Sequence, residues 1–208
     1  MIKPTLTYFA SRGRAELIRL VCAEAGIDWS EQEVAREHLR TDKLRFGAVP
    51  LWEEPDGFKL AQSLAIVGYL ATTHGLAGKT PREAAQVNQT LGAYDDVRTE
   101  MRKLAVVEAD QRAAVRQGLA SEFLPRWLGY LDRVLASNRD GQGFVVGDSL
   151  TVADLALWYL LELIVDNGFT ALETYPRLIA YAERIGKRPR LAEYLRSAKR
   201  FPFAPLPR

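Results

Sequence analysis

Near residue 76 the hydrophobic pattern of this chain changes period, and it does so once. Before that point strand-like and helix-like segments alternate. After it, apolar residues recur only at intervals of three and four. The change falls on Gly75-Leu76-Ala77-Gly78-Lys79-Thr80-Pro81, the one stretch that reads as a linker. A parallel strand–helix unit and an all-helical unit bury their faces by different rules, so a single change of period predicts two domains. The boundaries read as residues 1–77 and 78–208.

In the first segment, Thr5 to Tyr8 reads as a strand. Arg14 to Ala25 reads as a helix with Leu17, Ile18, Val21, Cys22 and Ala25 on one face and Gly26 as its stop. Ile27 to Val34 reads as a second strand despite its polarity. Pro50 to Glu54 and Phe58 to Leu60 flank a Pro55-Asp56-Gly57 turn and read as a hairpin. Ser63 then caps a helix whose apolar face is Leu64, Val67, Tyr69 and Leu70, ending near Gly75. With a further helix before the hairpin, the order is β-α-β-α-β-β-α.

In the second segment Val87, Leu91, Tyr94, Val97, Met101 and Leu104 form one helical stripe. Phe123, Trp127, Leu131, Val134 and Leu135 form another. Further helices read from Thr151, Pro176 and Arg190. Leu150-Thr151-Val152-Ala153-Asp154-Leu155 is a complete start signal: a Thr N-cap, an acid three residues on, and two leucines placed as a staple. Its role is structural. The C-terminal Phe201-Pro202-Phe203-Ala204-Pro205 run cannot stay helical through its prolines. Phe201 and Phe203 either cover a pocket or pack on the protein's own surface.

Composition excludes more than it assigns. A formal charge of +2 over 208 residues calls for neither nucleic acid nor an anionic membrane. The most apolar run, Leu155 to Val165, contains Glu162 and falls short of the ~20 residues a bilayer requires. The N-terminal residues lack a secretory apolar core. The expectation is a soluble cytoplasmic protein. A single cysteine, Cys22, allows no intramolecular disulfide. It lies on an apolar helix face and reads as inert packing. The two histidines, His38 and His74, belong to no ligand cluster, so no metal is expected.

Three short segments bear chemistry. Leu6-Thr7-Tyr8-Phe9-Ala10-Ser11-Arg12-Gly13-Arg14-Ala15-Glu16 ends a strand on a phenol, turns at a glycine and starts a helix. A phenol at such a junction can face a ligand. Val49-Pro50 precedes a strand. Gln62-Ser63 opens a helix, where free N–H groups and partial positive charge favour a carboxylate.

In this order and spacing, the three segments resemble the cytosolic glutathione transferases, specifically their tyrosine-type, sigma-like branch. The resemblance covers nearly the whole chain and is most specific in residues 5–16 and 46–71. It implies an α+β thioredoxin-like N-terminal domain followed by an all-α C-terminal domain. It implies an enzyme that attacks hydrophobic electrophiles with the thiolate of glutathione, a co-substrate, without a prosthetic group. By the same resemblance, Tyr8 hydrogen-bonds the glutathione sulfur with Arg14 assisting as a nearby cation. Val49, before a cis Pro50, pairs with the tripeptide backbone, and Gln62 and Ser63 hold its γ-glutamyl carboxylate. Lys43 is the candidate for the glycyl end. Asp96 reaches the γ-glutamyl ammonium across a homodimer, and Phe46 either plugs the partner or packs in its own loop. Phe9, Ser11, Arg12, Met101 and Leu104 line an apolar electrophile pocket.

The match is weakest between residues 37 and 48. His38-Leu39 stands where a tryptophan is expected, and Ala48 where a lysine is. Other branches of the family use a serine just after the first strand, which makes Ser11 the rival of Tyr8. Two other functions share the fold: a non-catalytic ligand-binding or structural protein, and an isomerase that uses glutathione as a true cofactor. Retention of Tyr8, Arg14, Gln62 and Ser63 weighs against the first. The missing aromatic near residue 39 weighs against the second.

Overall fold

The computed structural model describes residues 3–35, 39, 44 and 46–207. The chain divides into two compact units: Met1–Leu76 with Arg188–Ala204, and Ala77–Lys187 with Pro205–Arg208.

The first unit holds a four-stranded sheet: β1 (Thr5–Tyr8), β2 (Ser30–Glu33), β3 (Leu51–Glu53) and β4 (Lys59–Ala61), in the order β2-β1-β3-β4. β1 and β2 are parallel, joined through α1 (Glu16–Ala25). β3 runs antiparallel to β1 and to β4. Leu6 and Trp52 face each other across β1 and β3, both buried. β2 is shorter than its sequence suggested, and all four of its residues are exposed. An edge strand with one open side tolerates that polarity. The helix expected between β2 and β3 falls largely on residues outside those described.

α1 stops at Gly26, whose φ of 72° is the left-handed conformation glycine adopts without penalty. α1 packs against α2 (Ser63–Thr73) and α8 (Pro189–Arg196). On α2 the buried apolar residues are Ile66, Val67, Leu70 and Ala71. The sequence had placed Leu64 and Tyr69 on that face, but both are half-exposed, and the Tyr69 hydroxyl donates instead to Glu54 at 2.9 Å.

The second unit is helical among its described residues: α3 (Pro81–Arg102), α4 (Arg112–Gly118), α5 (Leu124–Ala136), α6 (Val152–Asp166) and α7 (Pro176–Gly186). α3 begins inside the stretch read as a linker. The Thr80 hydroxyl accepts the Glu83 amide at 3.1 Å, and Pro81 occupies the first turn, where a missing N–H costs nothing. On α5 the buried stripe is Leu124, Leu128, Leu131 and Leu135, and Val134 faces outward. α6 is buried along most of its length and packs on α3 and α7. Its capping box is present. The Asp154 carboxylate accepts the amide and hydroxyl of Thr151, the Val145 amide and, at 2.7 Å, the Tyr181 hydroxyl. No described helix is long and apolar enough to cross a membrane.

Candidate active site

Strand register brings the three chemistry-bearing segments to one end of the sheet. Thr7 lies opposite Leu51, and Leu51 opposite Ala61. Tyr8 is the next residue beyond this row on β1, Pro50 the next beyond on β3, and Gln62 the next beyond on β4. Neighbouring strands lie about 4.8 Å apart, so Tyr8 and Gln62 stand about 10 Å apart along one sheet edge.

Tyr8 is 7% exposed. Its hydroxyl oxygen accepts the backbone N–H of Arg14 at 2.9 Å. That bond depends on Gly13, which has φ of 44° and leads the short 3-10 turn into α1. A Cβ at Gly13 would lie 2.5 Å from the Tyr8 oxygen, so only glycine leaves room for the phenol. The Phe9 ring packs at 5.0 Å from the Tyr8 ring. Phe9, Ser11, Arg12 and Arg14 are half-buried.

The Val49-Pro50 peptide is cis and leads directly into β3. At the start of α2 the structure corrects the sequence in one respect: Gln62, not Ser63, is the N-cap residue, and no side chain caps the helix. Ser63 is the first helical residue and is buried. Gln62 adopts φ 74° and ψ 115°. For a residue with a side chain this conformation costs about 1–3 kcal/mol, and such strain persists where the surroundings impose it, commonly at ligand sites. The uncapped helix start therefore meets the exposed Gln62 side chain and the buried Ser63 hydroxyl at the sheet edge that carries Tyr8.

The remaining predicted residues are dispersed. Lys43 and His38 lie outside the described residues. Asp96 is exposed on α3. Met101 and Leu104 are buried in the second unit. Phe46 is 61% exposed. Cys22 is fully buried, and burial pushes its thiol far above the ordinary range, as expected for inert packing. Among the described residues no cluster of His, Cys, Asp or Glu could hold a metal ion. A cleft of about 450 Å³ opens beside β2, lined by Trp29, Glu31, Glu33, Arg200, Phe201 and Pro202 among others; it includes Phe201 but none of the residues expected to bind glutathione or the electrophile.

Sequence reasoning missed the polar cluster behind the Tyr8 turn. Glu16 and Arg19, given no role by the sequence, are both fully buried. Arg19 forms a two-pronged pair with Glu31, at 2.7 and 3.0 Å, and donates to the Ser11 carbonyl at 2.9 Å and the Arg12 carbonyl at 3.3 Å. An arginine and a glutamate three apart in an otherwise apolar helix face are a signal only once their partners are known.

A thioredoxin-like sheet unit followed by an all-helical unit is the domain pair of the glutathione transferases. The family model described as Glutathione S-transferase, N-terminal domain, matches residues 4–72, and that described as Glutathione S-transferase, C-terminal domain, matches residues 95–198. The chain belongs to the glutathione S-transferase family. It is 35% identical over 201 residues to Glutathione S-transferase P 1 of Xenopus laevis, spanning 94% of this chain and 92% of that one. It is 34% identical over 198 residues to Glutathione S-transferase alpha-1 of Rattus norvegicus, spanning 93% and 88%. Among solved structures, the Pi-class glutathione S-transferase of Onchocerca volvulus superposes with a TM-score of 0.85 at 26% identity, covering 93% of this chain and 92% of that one. NaGST-2 superposes with a TM-score of 0.83 at 32% identity, covering 95% and 98%.

Proposed function

We propose that this protein conjugates the thiolate of glutathione to hydrophobic electrophiles, with the Tyr8 hydroxyl stabilising the thiolate. The observation that carries the reading is the Arg14 N–H bond to Tyr8, at the sheet edge where α2 begins. That bond fills a lone pair of the phenol oxygen and orients the group, so the phenolic proton is the part it can donate to a ligand.

The magnitudes agree. A free thiol titrates near 8.5, and lowering it by ~2 units requires ~2.7 kcal/mol. A hydrogen bond to a charged acceptor supplies ~1.5–3 kcal/mol. In glutathione the sulfur sits on the central residue, and eight bonds through the γ-linked glutamyl arm separate it from the α-carboxylate carbon, an extended reach of about 10 Å that matches the separation along the sheet edge between Tyr8 and Gln62. With its sulfur at Tyr8, its γ-glutamyl carboxylate reaches the start of α2. There the first-turn N–H groups, the Ser63 hydroxyl and the Gln62 amide are suited to hold it. The Val49 backbone, ahead of Pro50, pairs with the peptide between them.

Turnover then follows simple chemistry. The thiol proton leaves to solvent, and the thiolate attacks the electrophilic carbon. With a chloronitroaromatic, a C–S bond forms and the C–Cl bond breaks, releasing chloride. Arg14 adds positive charge near the sulfur, and Phe9, Ser11 and Arg12 contact the electrophile. Lys43 is our candidate for the glycyl carboxylate. We further propose a cytoplasmic homodimer in which Asp96 reaches the γ-glutamyl ammonium in the partner's site and the exposed Phe46 contributes to the interface. The tyrosine type rests on Tyr8. The sigma-like branch rests on the order and spacing of the three sequence segments, since the named relatives are P and alpha enzymes.

The direct test is conjugation of glutathione to a chloronitroaromatic by the purified protein. Activity in the wild type that falls steeply in Tyr8→Phe supports the assignment. Unchanged activity in Tyr8→Phe moves thiolate stabilisation to Ser11, and a wild type that does not bind glutathione sinks the proposal.

A further inference from the structure

The turn that carries the Arg14 amide is held from behind by the C-terminal part of the first unit. After Gly13 the chain makes only a short 3-10 turn before α1, so little regular backbone bonding fixes Arg14 against Tyr8. Side chains supply the rest. Arg19 donates to the carbonyls of Ser11 and Arg12, and its charge is balanced by Glu31. Glu16, in the first turn of α1, accepts Arg200 Nε at 2.8 Å and the Tyr194 hydroxyl at 3.1 Å, with Arg19 Nη1 at 3.6 Å. The Phe201 ring lies 4.5 Å from the Arg19 guanidinium carbon, and the Phe201 carbonyl accepts Arg12 Nε at 2.9 Å. The Arg12 guanidinium in turn lies over Phe203.

These contacts form a closed circuit. The C-terminal segment grips the turn at Arg12, ahead of Gly13, and at Glu16, just after Arg14. One fully buried acid, Glu16, and the more exposed Glu31 on β2 are matched by two arginines, Arg19 and Arg200. Without Arg200 the fully buried Glu16 carboxylate keeps only the Tyr194 hydroxyl at 3.1 Å and Arg19 at 3.6 Å, and a buried charge so under-compensated favours moving the backbone toward water. Removing Arg200 therefore displaces the first turn of α1, and with it the amide that orients the Tyr8 hydroxyl. A bond of 2.9 Å is lost after a shift of well under 1 Å, and misplacements of about 1 Å near a reacting group cost on the order of 10²-fold in rate.

We propose that Arg200 and Phe201, acting through Glu16, Arg19 and Arg12, are positioning residues that set how strongly Tyr8 stabilises the glutathione thiolate. The proposal rests on the reading of Tyr8 given above. It assigns the C-terminal segment a role in the acidity of the bound thiol, separate from glutathione affinity, which depends on the other end of the site.

The test is the pH dependence of kcat/KM for a chloronitroaromatic in the full-length protein, measured for Arg200→Met, Phe201→Leu and Arg200→Lys beside Tyr8→Phe. In Arg200→Met and Phe201→Leu the midpoint is expected to rise by about one unit, a roughly tenfold loss below the midpoint that vanishes above it. The glutathione KM should stay within about twofold, and Arg200→Lys should recover much of the midpoint, since it keeps the charge beside Glu16. A loss uniform across pH, or an unchanged midpoint in Phe201→Leu while Tyr8→Phe shifts it, overturns the proposal. Phe201→Leu keeps every charge pair and so remains informative if Arg200→Met fails to fold. An unmoved midpoint in Tyr8→Phe overturns the underlying assignment of Tyr8, and this proposal with it.

Discussion

The backbone amide of Arg14 donates to the hydroxyl of Tyr8 at 2.9 Å, across a glycine that has no room for a side chain. Three consecutive features of the sequence therefore act as one unit. The phenol ends β1, Gly13 makes space above it, and Arg14 turns back to fix it.

Gly13→Ala tests that unit. The added methyl meets the phenol oxygen at 2.5 Å, and the backbone sits at φ 44°. Alanine at a left-handed position costs ~1–2 kcal/mol on its own. The expected result is a modest loss of stability but at least a tenfold loss of conjugation, because the phenol must move. Thermal unfolding alongside steady-state kinetics separates the two. Full activity in a folded Gly13→Ala protein contradicts the role given to Tyr8.

At the other end of the site, Gln62→Gly should separate stability from binding. Gln62 holds a strained backbone at φ 74° and ψ 115°. Glycine relieves most of a ~1–3 kcal/mol cost and loses ~0.5–1 kcal/mol to chain entropy. The variant should unfold at the same or a higher temperature, while the glutathione KM rises about tenfold. Ser63→Ala should raise KM with little change in kcat, the signature of binding shared by ground and transition states. Steady-state kinetics with varied glutathione checks both.

Asp154 should matter for folding and not for chemistry. Its carboxylate satisfies two amides, the Thr151 hydroxyl and the Tyr181 hydroxyl, all in buried surroundings. Asp154→Ala leaves several donors unpaired and should cost about 3–5 kcal/mol. Denaturant unfolding measures it, and whatever fraction remains folded should bind glutathione normally.

Asp28 gives a pH signature. Lys3 at 2.6 Å, together with Lys199 at 3.3 Å, holds its carboxyl below the usual range. A folded-state value below the unfolded one contributes stability that is present above the unfolded pKa and is lost as pH falls through the folded value. Asp28 is exposed, so the effect is small and weakens with salt. Carboxyl NMR should find Asp28 titrating early in the acid range, and Lys199→Met should move it upward toward ordinary aspartate values. An unmoved Asp28 resonance in Lys199→Met would rule out the contact.

Signals confined to a few consecutive residues were legible in the sequence. The Thr151–Asp154 box formed as expected, because its parts lie within one helical turn. The stop of α1 at Gly26 and the Pro55-Asp56-Gly57 turn of the hairpin were also local. The start of α2 was legible to one residue: Ser63 looked like a cap, but Gln62 takes the cap position in a strained conformation that no propensity favours. The α5 stripe slid because Val134 and Leu135 are both apolar, and only packing decides which one faces inward.

By itself the sequence determined the change of period near residue 76, the type of most elements, and the phenol–glycine–arginine motif. These depend on spacing and on local backbone preference. Tertiary structure decided that Tyr8, Pro50 and Gln62 share one sheet edge, since register links residues up to 54 positions apart in the chain. It also decided that Arg188–Ala204 returns to the first unit. There Arg200 meets Glu16 across 184 residues of sequence. The physical reason is common to both. A buried charge or a strand edge is satisfied by whichever partner the fold brings to it, and nothing in its own neighbourhood names that partner.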